Sequence, residues 1–231
     1  MTTSGTTAFN PDLTEIVEEA YERCGGELRT GYDLRTARRS LNLMFTDWAN
    51  RGVNMWTMEQ GQQILTPGTA TYNLAADTVD LLDHVIRTGA GNASTQADLT
   101  ITRISEPTYS SIPNKLQQAR PIQIWIERLN TPRFTVWPVP DNSQTYTLVY
   151  WRLRRIQDAG DGVNTMDMPF RFYNAMVAGL AYYMAMKVPG GIDRIQILKE
   201  QYDQAWDLAS DEDREKAAVR FVPRQQYIGS Y

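Results

Sequence analysis

The sequence predicts an α+β protein: an antiparallel helical bundle built from both termini, an inserted antiparallel β domain and an extended C-terminal arm. Three observations carry that expectation. Apolar residues recur at helical spacing over residues 10–53 and again over 168–220. Over 54–167 the pattern changes to short alternating runs punctuated by Pro, Gly, Asn and Asp. Residues 221–231 contain Pro223, Gly229 and two tyrosines and no helical period. Because helical period flanks the alternating runs on both sides, the β region reads as an insertion and not as a separate tail domain.

Residues 1–9 are small and polar and are expected to form a flexible arm. Asn10 followed by Pro11 reads as a helix start, a capping side chain with proline at the first helical position. Leu13, Ile16, Val17, Ala20, Tyr21 and Cys24 then share one face, and Gly25–Gly26 stops the helix. A second helix is expected from Asp33 to Arg51, with Leu34, Ala37, Leu41, Met44, Phe45 and Trp48 inward and Arg35, Arg38, Arg39 and Asn42 turned away.

Seven strand-like runs follow: MEQGQQIL, ATYNL, VDLLDHVIRT, DLTITRIS, IQIWIERL, RFTVW and TYTLVYWRLRRI. In IQIWIERL the isoleucines at 122, 124 and 126 share one face, the mark of a half-buried strand. Arg133 to Ile156 reads as a hairpin whose aromatic first strand is guarded by prolines. Helical spacing returns at Pro169, where Phe172, Met176, Leu180 and Met184 alternate with alanines and Gly179 that allow close helix approach. Pro189–Gly190–Gly191 breaks that helix. The last one places Ile195, Leu198, Tyr202, Ala205, Trp206 and Ala209 at the same relative offsets as the inward residues of the second helix, so the two present similar seams to the helix between them.

Composition narrows the chemistry. A 231-residue chain of formal charge −4 is no obvious partner for a polyanion, although local basic patches remain open. Cys24, the only cysteine, excludes an intrachain disulfide framework and a cysteine-based zinc site. The opening MTTSGTTAFN is not a basic-then-apolar leader, and the longest apolar tract falls short of the ~18 residues of a membrane span; the expectation is a soluble protein without membrane contact.

Catalytic signals are weak. His84 is the only histidine and reads as a packed strand residue. DAGDGVNTMD, residues 158–167, lacks the ligand order of a calcium loop and reads as a solvated linker. TGAGNAS lacks the lysine and following helix of a phosphate cradle. Glu18, Glu19, Glu106 and Glu127 show no spacing that singles out an acid and a base. No catalytic, metal or cofactor residue is assigned. The YWRLRRI run puts Tyr150, Arg152 and Arg154 on one face and Trp151, Leu153 and Arg155 on the other. Such interleaving serves single-stranded nucleic acid or a protein interface, and the interface reading is favoured. The aromatic C-terminal arm either folds back on its own helices or docks on a neighbour.

Four stretches, in their order and spacing, resemble the head-to-tail adaptor proteins of tailed bacteriophages, also called tail accessory factors or tail tubular proteins A. They are LTEIVEEAYERCGG with LRTARRSLNLMFTDWANRGVNMWTM, LTITRISEPTYSSIPNKLQQARPIQIWIERL, FTVWPVPDNSQTYTLVYWRLRRI, and MPFRFYNAMVAGLAYYMAMKV. The resemblance covers about residues 10–225. It implies a non-enzymatic ring, dodecameric in the family, beneath the portal protein and above a tail nozzle or tail tube protein. Double-stranded DNA would pass through without sequence-specific binding. The location would be the head–tail junction of the virion, with assembly in the host cytoplasm. Phe221, Val222, Pro223, Arg224, Gln225, Gln226, Tyr227 and Ile228 would be the portal-docking arm. In such a ring Trp137, Tyr150, Trp151, Arg152 and Arg154 would serve the β core or a subunit or tail interface. The alternatives weighed are a tail-associated cell-wall glycosidase and a nucleic-acid-binding module built on the Arg152, Arg154 and Arg155 strand.

Overall fold

The computed structural model describes residues 3–28, 31–52 and 55–214. Two helices come first, α1 (Leu13–Cys24) and α2 (Gly31–Arg51), followed by a 3-10 turn at Met55–Thr57. Strands β1 (Met58–Leu65), β2 (Thr71–Asn73), β3 (Thr78–Thr88), β4 (Ala97–Thr100) and β5 (Thr102–Ile104) come next. A short α3 (Glu106–Ser110) precedes β6 (Gln123–Glu127), β7 (Arg133–Trp137) and β8 (Tyr146–Arg154). The chain then forms α4 (Tyr173–Ala185) and α5 (Ile195–Glu212), each entered through a 3-10 turn. Among the described residues the fold is thus mixed α+β, with five helices and two sheets.

Helix α1 begins two residues later than the Asn10–Pro11 reading placed it. Asp12 is the N-cap: its Oδ1 accepts from the Glu15 amide at 2.9 Å, while Glu15 Oε2 accepts from the Asp12 amide at 3.1 Å. This reciprocal box satisfies two amides at once, which Asn10 does not do. The Asn10 side chain accepts from the Tyr173 hydroxyl instead, at 2.5 Å. At the other end Gly25 takes φ 83°, and its amide and that of Gly26 close onto Glu22 and Tyr21 carbonyls.

The buried faces of α1, α2, α4 and α5 join in one apolar cluster. Helix α4 is buried nearly all round, from Ala175 through Ala181. Gly179 is where its neighbours come closest: a Cβ there would lie 2.5 Å from Met44 Sδ of α2 and 2.8 Å from the Tyr202 ring of α5. Beside this crossing, Trp48 packs at 4.7 Å from Trp206 and 5.8 Å from Phe172, and Trp56 at 4.6 Å from Phe172. Both indole N–H groups are satisfied, Trp48 by the Tyr202 hydroxyl at 2.8 Å and Trp56 by the Asp167 carbonyl at 2.9 Å.

The strands form two four-stranded sheets, ordered β1-β8-β3-β4 and β2-β7-β6-β5. A second apolar cluster draws on both, with Leu81, Ile86, Ile124, Phe134, Tyr146 and Leu148 among its members. In β6, Ile124 and Ile126 are buried and the alternate positions half-buried, as the period-two pattern predicted, but Ile122 lies before the strand and is 41% exposed.

Three expectations are corrected. Arg133 to Ile156 is not a hairpin: β7 pairs with β6 and β2, whereas β8 pairs with β1 and β3 in the other sheet. Pro138 and Pro140 lie in the connection and lack the amides a strand ladder needs. The β region is not purely antiparallel, because β5 and β6 run parallel. The long connection carrying α3 returns the chain to the same end, which a parallel pair requires. The run DLTITRIS is two strands and not one: β4 belongs to the first sheet and β5 to the second, with buried Ile101 at the crossing.

Gly179→Ala adds a methyl group where two helices already touch the backbone. It is expected to destabilise by about 1–3 kcal/mol despite alanine's better helix propensity. Chemical denaturation of the two proteins measures this; equal or higher stability would contradict the close approach.

Candidate functional site

The strongest candidate from sequence was the aromatic and basic strand now seen as β8, which lies in the middle of its sheet with β1 on one side and β3 on the other. Tyr150, Trp151, Arg152 and Arg154 are brought together on it, whereas Trp137 ends β7 in the second sheet. The Trp137 indole donates to the Asn114 carbonyl at 3.0 Å, so it anchors the loop after α3. Tyr150 packs against the strand core and covers Gly61, where a Cβ would sit 2.5 Å from its ring. Trp151 faces the other way and is 38% exposed.

The two arginines are engaged internally. Arg152 Nη1 donates to Asp77 Oδ1 at 2.5 Å and its Nη2 to Glu59 Oε2 at 2.9 Å. Arg154 donates from Nε to Glu59 Oε1 at 2.6 Å and grips Asp167 with Nη1 and Nη2 at 2.5 and 2.9 Å. Glu59 thus bridges both arginines, and Asp167 also accepts from the Gln157 amide at 3.1 Å. The hydrogen bonds from Arg152 and then Arg154 hold the Glu59 carboxyl below its ordinary value of 4.5. Arg152 likewise lowers Asp77 from 3.8. Arg154 is held more firmly protonated, chiefly by Asp167. A guanidinium already matched to two carboxylates has little left for phosphate, so this strand is a brace between the sheet and the segment leading into α4.

A second tie lies near the end of α5. The buried carboxylate of Asp213 accepts from the Met55 amide at 3.0 Å and pairs with Arg171. Sequence reasoning missed Glu59, Asp77, Asp167 and Asp213 as the partners that fix these arginines. Two arginines at period two demand nearby acids, but only the strand register, which sets Glu59 opposite Arg152, says which.

The remaining candidates also find structural places. His84 lies in β3 opposite Tyr150, with Nδ1 buried and without a hydrogen-bond partner. Burial, helped by Arg103, pushes its pKa down. The TGAGNAS segment is the turn between β3 and β4. The 158–167 segment is not the solvated linker expected: Ala159 is fully buried and its amide donates to Asn42 of α2 at 2.8 Å, while Gly162 accepts from Thr14 of α1 at 3.1 Å. Asn164, accepting from the Asp161 amide at 2.8 Å, closes the loop on itself. Cys24 is buried, and that burial raises its thiol pKa.

Glu18 and Glu19 lie on α1, Glu106 opens α3 and Glu127 is in β6, and arginines engage Glu19 and Glu127. A cleft of 590 Å³ between α2 and the strands is lined by Asn42, Thr46, Arg128, Arg155 and Asp158, without a pair of carboxylates. Among the described residues no group of three His, Cys, Asp or Glu could hold a metal ion, and no helix is long and apolar enough to cross a membrane. Phe221, Val222, Pro223, Arg224, Gln225, Gln226, Tyr227 and Ile228 lie outside the described residues.

Removing the Arg154 head with Arg154→Met leaves Glu59 and Asp167 without it and is expected to cost about 3 kcal/mol or more in denaturant unfolding. The acid limb gives a second check. Glu59 and Asp77 are depressed in the folded state, so their contribution is full above the ordinary carboxylate range and is lost as pH falls through the lowered values. Arg152→Gln should therefore lose less stability than the unsubstituted chain between about pH 6 and about pH 3. Parallel pH dependences would show that the brace contributes nothing.

Compared with known families, the chain matches the model described as SU10 adaptor protein over residues 12–224. No curated protein matches it.

Proposed function

The chain belongs to the SU10 adaptor protein family, and from that premise we propose that it is the structural head-to-tail adaptor of a tailed bacteriophage. In this reading copies assemble as a ring, a dodecamer, under the portal protein. The ring receives the tail nozzle or tail tube protein on its other side and gives double-stranded DNA a passage during genome ejection. The observation that carries the proposal is the family match across nearly the whole chain. Two physical features support it. The conspicuous arginines of β8 brace the protein internally, which suits a part that bears load and performs no turnover. The net charge of −4 disfavours lingering contact between the protein and DNA.

Residues 10–53 and 168–220 are read as one helical unit, and 54–167 as an insertion that reaches outward from it. Residues 221–228, from Phe221 to Ile228, are assigned to the portal, since an aromatic arm can thread into a neighbour and many equivalent arms act together. Trp151, the exposed aromatic of β8, is assigned to a subunit or tail contact.

Mixing the purified protein with the portal protein of the same phage and measuring the mass of the product tests this directly. The full-length chain is expected to give a large stoichiometric ring, and a chain ending at Arg220 to give none. Failure of the full-length chain to bind would overturn the adaptor reading; binding by the truncated chain would overturn only the role of the arm. Trp151→Ala should keep the fold, by circular dichroism, and weaken assembly with a copy or with the tail protein.

A further inference from the structure

Helices α2 and α5 turn alike toward the core and unlike toward solvent. Their inward residues share one set of offsets, Ala37, Leu41, Met44 and Trp48 matching Leu198, Tyr202, Ala205 and Ala209. Of the four arginines of α2, Arg38 is held by Asp161 and Arg51 by Asp47, which leaves Arg35 and Arg39 to face outward, whereas α5 carries five carboxylates against one lysine, with Asp211 paired to Arg214. On the outward face of α5, Glu200, Asp203 and Asp207 stand three or four residues apart and repel one another. None of them enters an ion pair among the described residues, and neither does Arg39 of α2; Arg35 holds only its own helix's Gly31 carbonyl, at 3.3 Å.

We propose that these two faces are made for each other in different copies of the chain: the outward face of α2 in one copy docks on the outward face of α5 in the next. The proposal rests on the ring reading above and supplies the lateral contact it needs. Apolar residues argue for it independently of charge. Tyr32 and Leu43 on α2 are 69% and 59% exposed, and Ile197 and Leu208 on α5 are 60% and 74% exposed. Each pair is separated by three helical turns, about 16 Å at 1.5 Å per residue. Set antiparallel, with Leu43 against Ile197 and Tyr32 against Leu208, the helices place Arg39 beside Glu200 and Asp203, and Arg35 beside Asp203 and Asp207. Both apolar ends are covered and both arginines are matched.

The outer face of α1 is also acidic and is the rival partner for the arginines. It fits less well. Glu15 is committed to its capping box and Glu19 to Arg23 at 2.8 Å, and no large apolar residue of α1 is exposed. Pairing two different patches is a head-to-tail contact, which closes into a ring when the rotation between copies permits.

Charge reversal tests the pairing. R35E/R39E and D203R/D207R, each mixed with portal protein, should form at least about tenfold less ring by sedimentation velocity, because like charges then face each other. An equimolar mixture of the two variants should restore the ring, and so should the chain with all four substitutions, since every contact is matched again. Circular dichroism identical to that of the unsubstituted chain identifies the defect as one of association. A chain with Leu43→Cys and Leu208→Cys should give a ladder of disulfide-linked multimers on oxidation, and each single cysteine variant should not. Normal rings from either charge variant would overturn the pairing and leave the adaptor reading standing. So would rescue of R35E/R39E by reversing Glu18 and Glu22, which would make α1 the partner. If the unsubstituted chain forms no ring on the portal, it is the adaptor reading that fails.

Discussion

The chain leaves its helices after α2 and returns to them before α4, and whatever holds exit and return together decides whether the rest can exist. Four aromatic rings do this. Trp48 sits near the end of α2, Trp56 just before β1, Phe172 at the entrance to α4 and Trp206 on α5, with neighbouring ring centres 4.6–5.8 Å apart. Large flat side chains bury much area at little cost in rotamer freedom. The indole N–H groups of Trp48 and Trp56 keep the arrangement from sliding, because each donates to an acceptor in a fixed place. Around this knot, Asp213 ties the end of α5 to Met55, and Asp167 ties Arg154 of β8 to the approach to α4.

Charge has two separate duties in this molecule. Arg152 ties β8 to β1 and to Asp77 before β3, Arg154 ties β8 to β1 and to Asp167 on the approach to α4, and Arg171 ties the turn before α4 to the end of α5. Among the described residues, Arg35 and Arg39 point outward without such acids. From sequence, Arg152 and Arg154 looked like a recognition surface, and Arg35 and Arg39 like the outward face of a helix. Burial separates them, with Arg154 11% exposed at its side chain while Arg39 stands in solvent. An arginine matched to two carboxylates at hydrogen-bond distance is spent, whatever its neighbours suggest.

Much of the fold was legible because it is written in periods. The inward sets of α1, α2, α4 and α5 emerge buried, save Leu34 and Ile195, which are half-buried, and the alternation of Ile124 and Ile126 marks β6. What was not legible depends on pairing. Whether RFTVW and TYTLVYWRLRRI face each other or turn into different sheets is decided by partners many residues away, and no local pattern records it. Helix α3 was missed although Ser105, Glu106 and Pro107 form a start signal of the expected kind, since an isolated turn of five residues leaves no apolar period. The Asp12–Glu15 box was equally visible, but Asn10–Pro11 competed with it. The β8 candidate failed to separate by function for the same reason as the hairpin: Glu59 and Asp77 come to Arg152 only through the sheet.

The crossing at Ile101 bears on how the β region yields to force. Edge strands β4 and β5 belong to different sheets, yet one buried residue joins them covalently. A pull on the outer edge of one sheet passes along the backbone into the outer edge of the other, with no slack loop to extend first. The two sheets are therefore coupled at their outer edges: displacing β4 along its length displaces β5 with it.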